Sequence, residues 1–301
     1  MVSILLIPVL LMSDARQVNA LFTKKYYKNN RAYSRYEGKD VTIALYEGKY
    51  SNTSGGKCKY YAAHVVLKNY NKMHLAKANG KRSNGFQTVY QMVHDKKNKT
   101  YNAILAVNGP FNGADSDKWD AFGGGKYYSA AYHDYSEICG GKFYKGTMGG
   151  INVRGDATYS SKTGLLRQGT SQKGVVAGMT MEEAATKKLI SDTFHGDMGF
   201  ALLVNKMILG SKDAKSFRPR TFIGTNGKPG NFWIVVCNGD MADGYSKGLN
   251  AYGEGHILKK LKCTYGYNLD GGGSSTMIFR GKTVNKQLQL RKCYDALYVK
   301  R

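Results

Sequence analysis

The sequence predicts an α+β fold, in which mixed or antiparallel β-sheets and packed helices form a single large domain. Glycine occurs 37 times and tyrosine 23 times, whereas proline occurs only 4 times. This composition favours many short strands and turns. Helical periodicity is clear in only two stretches, and no repeat or low-complexity linker interrupts the chain after residue 40. We therefore expect residues 41–301 to fold as one domain.

The N-terminal segment is predicted to precede that domain. Val2–Met12 is an apolar run of signal-peptide length that is too short to span a bilayer, and Ala20 offers a small residue for cleavage. Basic residues ahead of the run are missing, so an N-terminal strand is the alternative. We interpret residues 1–20 as the remnant of a secretory signal and residues 21–40 as a basic polar arm. The protein is then expected to be secreted or held in the cell envelope, without an integral membrane segment.

Three strands and a long loop segment are predicted in the first half of the domain. The strands comprise residues 41–46, 59–67 and 101–108, which are rich in β-branched and aromatic residues. The third strand stops at Asn108–Gly113, where Asn, Gly and Pro form a cluster of breakers. Residues 114–162 are rich in Gly, Tyr, Asp and Ser and lack periodicity. We expect this segment to form loops that cover a substrate.

Two helices and a series of strands are predicted in the second half. Thr180 and Glu183 form a capping box for a helix over Thr180–Phe194, and Leu249–Leu261 has an apolar helical face. A hairpin is predicted over residues 200–209, turning at Asn205. The remaining predicted strands are Thr221–Gly224, Phe232–Cys237, Thr264–Leu269, Thr276–Phe279 and Tyr294–Val299.

Charge and cysteine usage limit the possible partners. The formal net charge is +24, from 45 basic and 21 acidic residues, so the surface should attract anions such as an anionic wall polymer. The alternative is that the lysines only form a solvated surface and do not bind a specific polyanion. The lysines are scattered and no nucleic-acid-binding motif organises them, so we expect no nucleic-acid partner. The five cysteines lack metal-ligand spacing, and we expect neither a metal nor a cofactor.

The most informative stretch is the glycine-rich loop near the C-terminus. Asp270 follows a predicted strand and is itself followed by three glycines and two serines. Unshielded amides of consecutive residues can form a nest that binds anions, while the carboxylate acts on a neighbouring atom. The alternative is a hairpin in which Asp270 caps a turn. The residues that we predict to bind substrate in this loop are Gly271, Gly272, Gly273, Ser274 and Ser275.

With three further segments beside it, this loop resembles the phosphodiester glycosidase family. Asn268–Met277 and Pro219–Gly224 match the family pattern almost letter for letter. Asn108–Phe111 is similar to a turn of the family, and Asp295–Val299 is similar to its closing strand. One segment departs from the pattern, because Asn238–Asp240 stands where the family usually has Asp-Gly-Arg.

The resemblance implies a hydrolase that cleaves a sugar-1-phosphodiester bond and releases the sugar and a phosphomonoester. Asp270, Arg220 and Asp240 are our candidate catalytic residues, the last because it follows the predicted buried strand Phe232–Cys237, and Asn108 is expected to hydrogen-bond sugar hydroxyls. Arg220 offers a charged donor fork for phosphate. Asp270 is a candidate nucleophile, general base or stabiliser of an oxocarbenium-like state. Candidates for a second carboxylate are Asp240, Asp243 and Glu254, among which the sequence does not choose.

A binding module without catalytic activity is the alternative function. Its ligand would be an anionic cell-wall polymer or an exopolysaccharide. The high positive charge, the abundant tyrosines and the departure at Asn238–Asp240 favour it. For Arg291 and Asp295 the alternative to a functional role is a structural pair that holds the last strand.

Overall fold

The computed structural model describes residues 32, 34–80, 86–110, 136–145, 157–168, 171–176, 178–194, 200–288 and 290–301. The predicted signal segment 1–20, most of the predicted arm, and residues 114–135 and 146–156 of the predicted covering segment lie outside the described residues. The part of the arm that is described contains β1, which pairs with β2.

The described residues form eighteen strands and three α-helices. The strands are β1 (Ser34–Glu37), β2 (Val41–Ser51), β3 (Lys57–Leu67), β4 (Met73–Lys77), β5 (Leu105–Asn108), β6 (Glu137–Cys139), β7 (Lys142–Tyr144), β8 (Ala157–Ser160), β9 (Leu165–Gln168), β10 (Asp192–Phe194), β11 (Phe200–Val204), β12 (Met207–Ile208), β13 (Arg220–Thr225), β14 (Asn231–Cys237), β15 (Tyr265–Asn268), β16 (Met277–Phe279), β17 (Lys282–Thr283) and β18 (Asp295–Val299). The helices are α1 (Val89–His94), α2 (Met181–Thr186) and α3 (Ala251–Lys260).

The predicted α+β class is wrong, because the fold is mostly β. Strands make up 41% of the structure and helices 14%. All strand pairs among the described residues are antiparallel. The sequence prediction also permitted sheets that mix parallel and antiparallel strands, and none is present in that part of the chain. Antiparallel strands can be joined by short turns and need no helical crossover. This is why so little of the chain is helical.

Two antiparallel sheets stack face to face and enclose the main core. One sheet has eight strands in the order β1-β2-β3-β14-β13-β15-β11-β12, and the other has five in the order β17-β16-β5-β18-β4. The core between them takes side chains from both sheets, including Ile43, Val65 and Ile234 from the larger and Val107 and Leu297 from the smaller. Burial of each such side chain stabilises the fold by about 1.5–3 kcal/mol.

Both faces of the larger sheet are buried. On β14, Phe232, Ile234 and Val236 point into the core between the sheets, whereas Trp233 and Val235 point to the opposite face. That second face is covered by α3 through two of its apolar residues, and α1 covers the outer face of the smaller sheet in the same way. Burial on both faces explains the unbroken apolar run that the sequence shows at Phe232–Cys237.

The helix predicted over Thr180–Phe194 is only partly confirmed. The capping box of Thr180 and Glu183 is present, but the helix ends at Thr186. Lys188 then adopts a left-handed conformation, with φ 53°, and Asp192–Phe194 pairs with β8 as a strand. Pairing with a neighbouring sheet overrides the helical propensity of this segment.

Strand ends from both sheets meet at one end of the sandwich. Arg220, the first residue of β13, lies opposite Cys237, the last residue of β14, and β15 ends beside them. In the other sheet β5 ends at Asn108, which lies opposite Ala296 near the start of β18. The segments with the strongest family resemblance are therefore neighbours in space.

Asp192 connects the small sheet β10-β8-β9 to the rest of the fold. Its Oδ1 accepts hydrogen bonds from the backbone N–H groups of Leu75 and Gly140, at 2.9 and 2.6 Å. Its Oδ2 lies 2.8 Å from Nδ1 of His74. One buried carboxylate thus joins β10, β4 and the turn after β6.

Replacing Asp192 with alanine should destabilise the fold. The variant Asp192→Ala leaves the N–H groups of Leu75 and Gly140 without an acceptor, which costs about 1–3 kcal/mol for each buried group. Urea unfolding of the variant and of wild type measures this loss. The matched control is Asp213→Ala, at an exposed position. Equal free energies of unfolding for both variants would contradict the connecting role of Asp192.

Candidate active site

Asp270 lies buried where the two sheets meet. It follows β15, and only 1% of its surface is exposed. Its backbone N–H donates to the carbonyl oxygen of Gly109 at 3.1 Å, so the loop is joined to the end of the smaller sheet. Its Oδ1 also accepts a hydrogen bond from the backbone N–H of Gly271 at 2.7 Å.

Arg291 is the cation that compensates the Asp270 carboxylate. Its Nη2 lies 3.3 and 3.2 Å from the two carboxylate oxygens and 2.8 Å from the carbonyl oxygen of Gly271. Its Nε donates to Oγ of Ser274 at 2.9 Å. Arg291 therefore holds the carboxylate and the glycine loop in one arrangement.

The amides of the glycine loop are used largely within the protein. Gly272 adopts a left-handed conformation with φ 60°, and its N–H donates to the carbonyl oxygen of Pro219 at 2.9 Å. The N–H groups of Ser274 and Ser275 donate to loop carbonyls at 3.3 and 3.1 Å. The hydroxyl of Ser275 is buried and has no hydrogen-bond partner among the described residues. The N–H groups of Gly272, Ser274 and Ser275 are thus already used within the protein.

Arg220 lies beside the same loop. A Cβ atom added at Gly271 would lie 3.6 Å from Nη1 of Arg220, so the guanidinium contacts the loop directly. On its other side Nε donates to the carbonyl oxygen of Leu249 at 3.1 Å and lies 3.2 Å from Oε1 of Glu254. Nη2 donates to the carbonyl oxygen of Ser216 at 3.5 Å. Nη1 makes no hydrogen bond to any described residue.

Glu254 is a completely buried carboxyl group behind Arg220. It lies in the first turn of α3, and its residue exposure is 0%. Burial raises the pKa of Glu254 to about 8, and the charge of Arg220 opposes this rise without cancelling it. Of the three candidates for a second carboxylate, Glu254 is the one in contact with a predicted catalytic residue.

The other two candidates lie in the loop after β14. Asp240 is exposed, with φ 48°, and no hydrogen bond or ion pair connects it to Asp270 within the described ranges. Asp243 accepts hydrogen bonds from the side chains of Asn238 and Ser246 and from the backbone of Tyr245 and Ser246, at 2.7–3.0 Å. These bonds hold the pKa of Asp243 well below its usual range, although partial burial opposes them. The Asp243 carboxylate therefore stabilises the loop after β14, in which it lies.

Asn108 connects four segments at the site. Its Nδ2 donates to the carbonyl oxygen of Asp270 at 2.6 Å. Its Oδ1 accepts from Oγ1 of Thr221 at 2.7 Å and from the backbone N–H of Thr276 at 3.2 Å. Because the side chain is fully buried and both ends of its amide are occupied, the structure places Asn108 beneath the loop and gives it no free group for a sugar hydroxyl.

The sequence analysis missed a buried cluster around Lys77. Its ammonium group binds Oε2 of Glu137 and lies 3.8 Å from Oδ2 of Asp295. Burial favours the neutral amine, but the two carboxylates prevail and raise the pKa of Lys77. Asp295 also packs against Gly109, where an added Cβ would lie 2.2 Å from its Oδ1. No sequence motif marked Lys77 or Glu137, because their pairing depends on which elements pack together.

The assembled site contains a buried carboxylate, Asp270, paired with Arg291, in a loop that also lies beside the Arg220 guanidinium. Guanidinium groups are suited to binding anions, and the Nη1 of Arg220 is not used by any described residue. In the described part of the chain, His, Cys, Asp and Glu form no group of three that could hold a metal ion. No helix in that part is both long and apolar enough to cross a membrane.

Comparisons with known proteins bear on the family and the fold of the chain. The profile of the family described as Phosphodiester glycosidase matches residues 101–300. The catalytic domain of zebrafish N-acetylglucosamine-1-phosphodiester alpha-N-acetylglucosaminidase, auto-inhibited by its pro-peptide, has a similar fold. Its TM-score is 0.61 at 14% identity, over 95% of this chain and 93% of that one. A hypothetical protein from Synechocystis gives a TM-score of 0.48 at 14% identity, over 87% and 62%. No curated protein sequence matches the chain.

Replacing Asn108 with aspartate tests whether this residue supports the loop. In Asn108→Asp an oxygen replaces the amide donor beside the Asp270 carbonyl, so two acceptors face each other in a buried site. We expect the free energy of unfolding to fall by about 1–3 kcal/mol, measured by chemical denaturation. In the control Asn226→Asp, an exposed oxygen continues to accept from the Lys228 N–H. If Asn108→Asp is as stable as this control, the supporting role is refuted.

Proposed function

Because the chain belongs to the phosphodiester glycosidase family, we propose that it hydrolyses a sugar-1-phosphodiester bond in a phosphate-linked glycan and releases the sugar and a phosphomonoester. The observation that carries the proposal is the buried Asp270 carboxylate, held by Arg291 in a loop that lies beside the Arg220 guanidinium. We further propose that the protein acts outside the cell or in its envelope, on the basis of its apolar N-terminal run and its positive charge.

The chemistry of a glycosyl phosphate fits a site with one prominent carboxylate. The bond between C1 of the sugar and the phosphate oxygen breaks, and its electron pair leaves with the phosphate. Water supplies a hydroxyl group to C1, and its second proton is released. A phosphate is a good leaving group and needs little protonation, so a strong general acid is less necessary than in ordinary glycosidases. Asp270 would act at C1, as nucleophile, as base toward the water or as stabiliser of the oxocarbenium-like state.

The two arginines would have different tasks. Arg291 contacts both Asp270 oxygens and the Ser274 hydroxyl, so it balances the charge of the carboxylate and fixes its orientation. Arg220 has its Nη1 directed at the loop without a protein acceptor among the described residues, so it can bind the phosphate. The charge that grows on the leaving phosphate is then met by a donor that is already in place.

A binding module for anionic wall polymer or exopolysaccharide remains the second candidate. Its specific support is a positively charged aromatic surface, where Nζ of Lys49 and of Lys57 lie 5.2 and 5.0 Å from the ring centroid of Tyr245. Such a module would bind polymer with full affinity and show no turnover. Activity assays therefore separate the two candidates.

Replacing Asp270 should abolish turnover. The substrates are α-GlcNAc-1-phospho-methyl-mannoside and a UDP-sugar, and release of reducing sugar and phosphomonoester is measured. Asp270→Asn removes the charge at nearly constant volume, so we expect the rate to fall roughly 10²–10⁴-fold. The matched control Asp213→Asn changes an exposed aspartate and should retain full activity. Absence of release by folded wild type would favour the binding module, and full activity of Asp270→Asn would exclude the proposed role of Asp270.

Replacing Arg291 tests the orientation of the carboxylate. Arg291→Lys keeps the positive charge but cannot contact Asp270 and Ser274 together, so the carboxylate should become misplaced. We expect kcat to fall about 10- to 100-fold, since a displacement of about 1 Å can cost that much. The control Arg167→Lys alters an exposed arginine of β9. An unchanged kcat for Arg291→Lys would contradict the orienting role.

A further inference from the structure

Glu254 is a buried ionisable group that the proposed chemistry leaves unused. It does not reach the surface, and Arg220 lies between it and the loop that carries Asp270. Its Oε2 is buried and has no hydrogen-bond partner among the described residues. A direct contact with the reacting atoms is therefore excluded, and any role of Glu254 must act through Arg220.

The position of Glu254 is energetically costly. A carboxyl group with an unsatisfied buried oxygen is penalised by about 1–3 kcal/mol. The glycines on both sides of it each weaken α3 by about 0.5–1 kcal/mol relative to alanine. They allow the helix to pack closely: a Cβ at Gly255 would lie 2.8 Å from Ile208, and one at Gly253 would lie 3.0 Å from Leu249. Costs of this kind are typical of groups that are retained for function.

Arg220 is held so that one part of its guanidinium remains available. Nε is held by Glu254 and by the carbonyl oxygen of Leu249, and Nη2 is held by the carbonyl oxygen of Ser216. Nη1 points to the Gly271 side and lacks a protein acceptor among the described residues. The charge of this guanidinium is thus shared between a buried carboxyl group behind it and whatever anion binds in front.

We propose that Glu254 is a positioning residue that links a proton to anion binding: it is protonated when Arg220 binds the substrate phosphate and ionised when that site is empty at alkaline pH. The identity of the anion as a substrate phosphate rests on the proposed function. The linkage itself requires only that an anion binds to Nη1 of Arg220.

The direction of the linkage follows from charge. An anion in front of Arg220 competes with the Glu254 carboxylate behind it, so binding favours the protonated carboxyl group. Without an anion, burial already raises the pKa of Glu254 to about 8. Below that pH the proton is present before binding, and affinity is constant. Above it a proton must be taken up, so affinity falls by at most about tenfold per pH unit.

Few other groups near Glu254 can titrate in that range. Among the described elements that pack on α3, β13 contributes Arg220, which remains charged, whereas β11 and β12 carry no acid or base. The tyrosines of β15 lie on the opposite face of the sheet. Burial raises the pKa of Tyr50 to about 12 and raises that of Cys58 well above its usual value, so both stay neutral. On α3 itself, burial lowers the pKa of His256, so this residue is neutral as well.

Sulfate binding measured by calorimetry tests the linkage without catalysis. Sulfate is a dianion from about pH 6 to about pH 10, so its own charge does not change in this range. For wild type we expect a constant Kd up to about pH 8 and a rising Kd above it. Glu254→Gln keeps an oxygen for Arg220 but cannot ionise, so its Kd should stay flat at the low-pH value. The control Glu182→Gln, at an exposed position on α2, should follow wild type.

Two outcomes would overturn the proposal. Parallel profiles for wild type and Glu254→Gln would show that another group controls the affinity. An unchanged profile in Arg220→Lys would show that sulfate binds elsewhere on this basic protein. If Glu254→Gln does not fold, proton uptake by wild type decides: calorimetry in two buffers of different ionisation enthalpy should detect uptake approaching one proton above pH 8, and no uptake refutes the linkage.

Kinetics distinguishes this inference from the proposed function. The phosphodiester substrate keeps a single negative charge over the same pH range. We expect KM of wild type to rise above about pH 8 while KM of Glu254→Gln remains constant, with kcat less affected in both. A sulfate linkage without any turnover would support the anion site and refute the hydrolase. Turnover with a pH-independent KM in wild type would support the hydrolase and refute the role of Glu254.

Discussion

The ion pair between the buried Asp270 carboxylate and Arg291 determines how the site is arranged. An ion withdrawn from water costs several kcal/mol unless a partner of opposite charge is held in good geometry. Arg291 provides this partner for Asp270 and also binds Ser274 and the carbonyl oxygen of Gly271. The loop cannot relax without leaving a buried charge uncompensated. This constraint explains how a run of three glycines, with little conformational preference of its own, adopts one conformation.

Buried ionisable side chains also meet at two further places in the fold. Glu254 lies behind Arg220, and Lys77 lies between the carboxylates of Glu137 and Asp295. All of these groups lie near strand ends or in helix α3, where side chains can be buried without interrupting the sheets. Interactions between charges are stronger in such surroundings than in water. A site built from fixed ion pairs stabilises developing charge without reorganisation during the reaction.

Local features of this protein could be read from its sequence, whereas contacts between distant elements could not. The hairpin at Asn205, the capping box of Thr180 and the strands near Asp270 are confirmed because turns, caps and alternation depend on neighbouring residues. The helix predicted up to Phe194 was too long, since pairing of Asp192–Phe194 with β8 replaces its second half. The α+β class failed for a related reason, because many short strands gain their partners only in the folded chain.

By itself the sequence determined the loop that carries Asp270, the family to which the chain belongs and most strand positions. Only the tertiary structure decided that Asn108 supports the Asp270 carbonyl from 162 positions away, that Arg291 pairs with Asp270, and that Glu254 lies behind Arg220. The physical reason is the separation along the chain over which each kind of interaction acts. Backbone sterics and side-chain alternation act over a few residues, whereas burial and ion pairing depend on which surfaces the whole chain brings together.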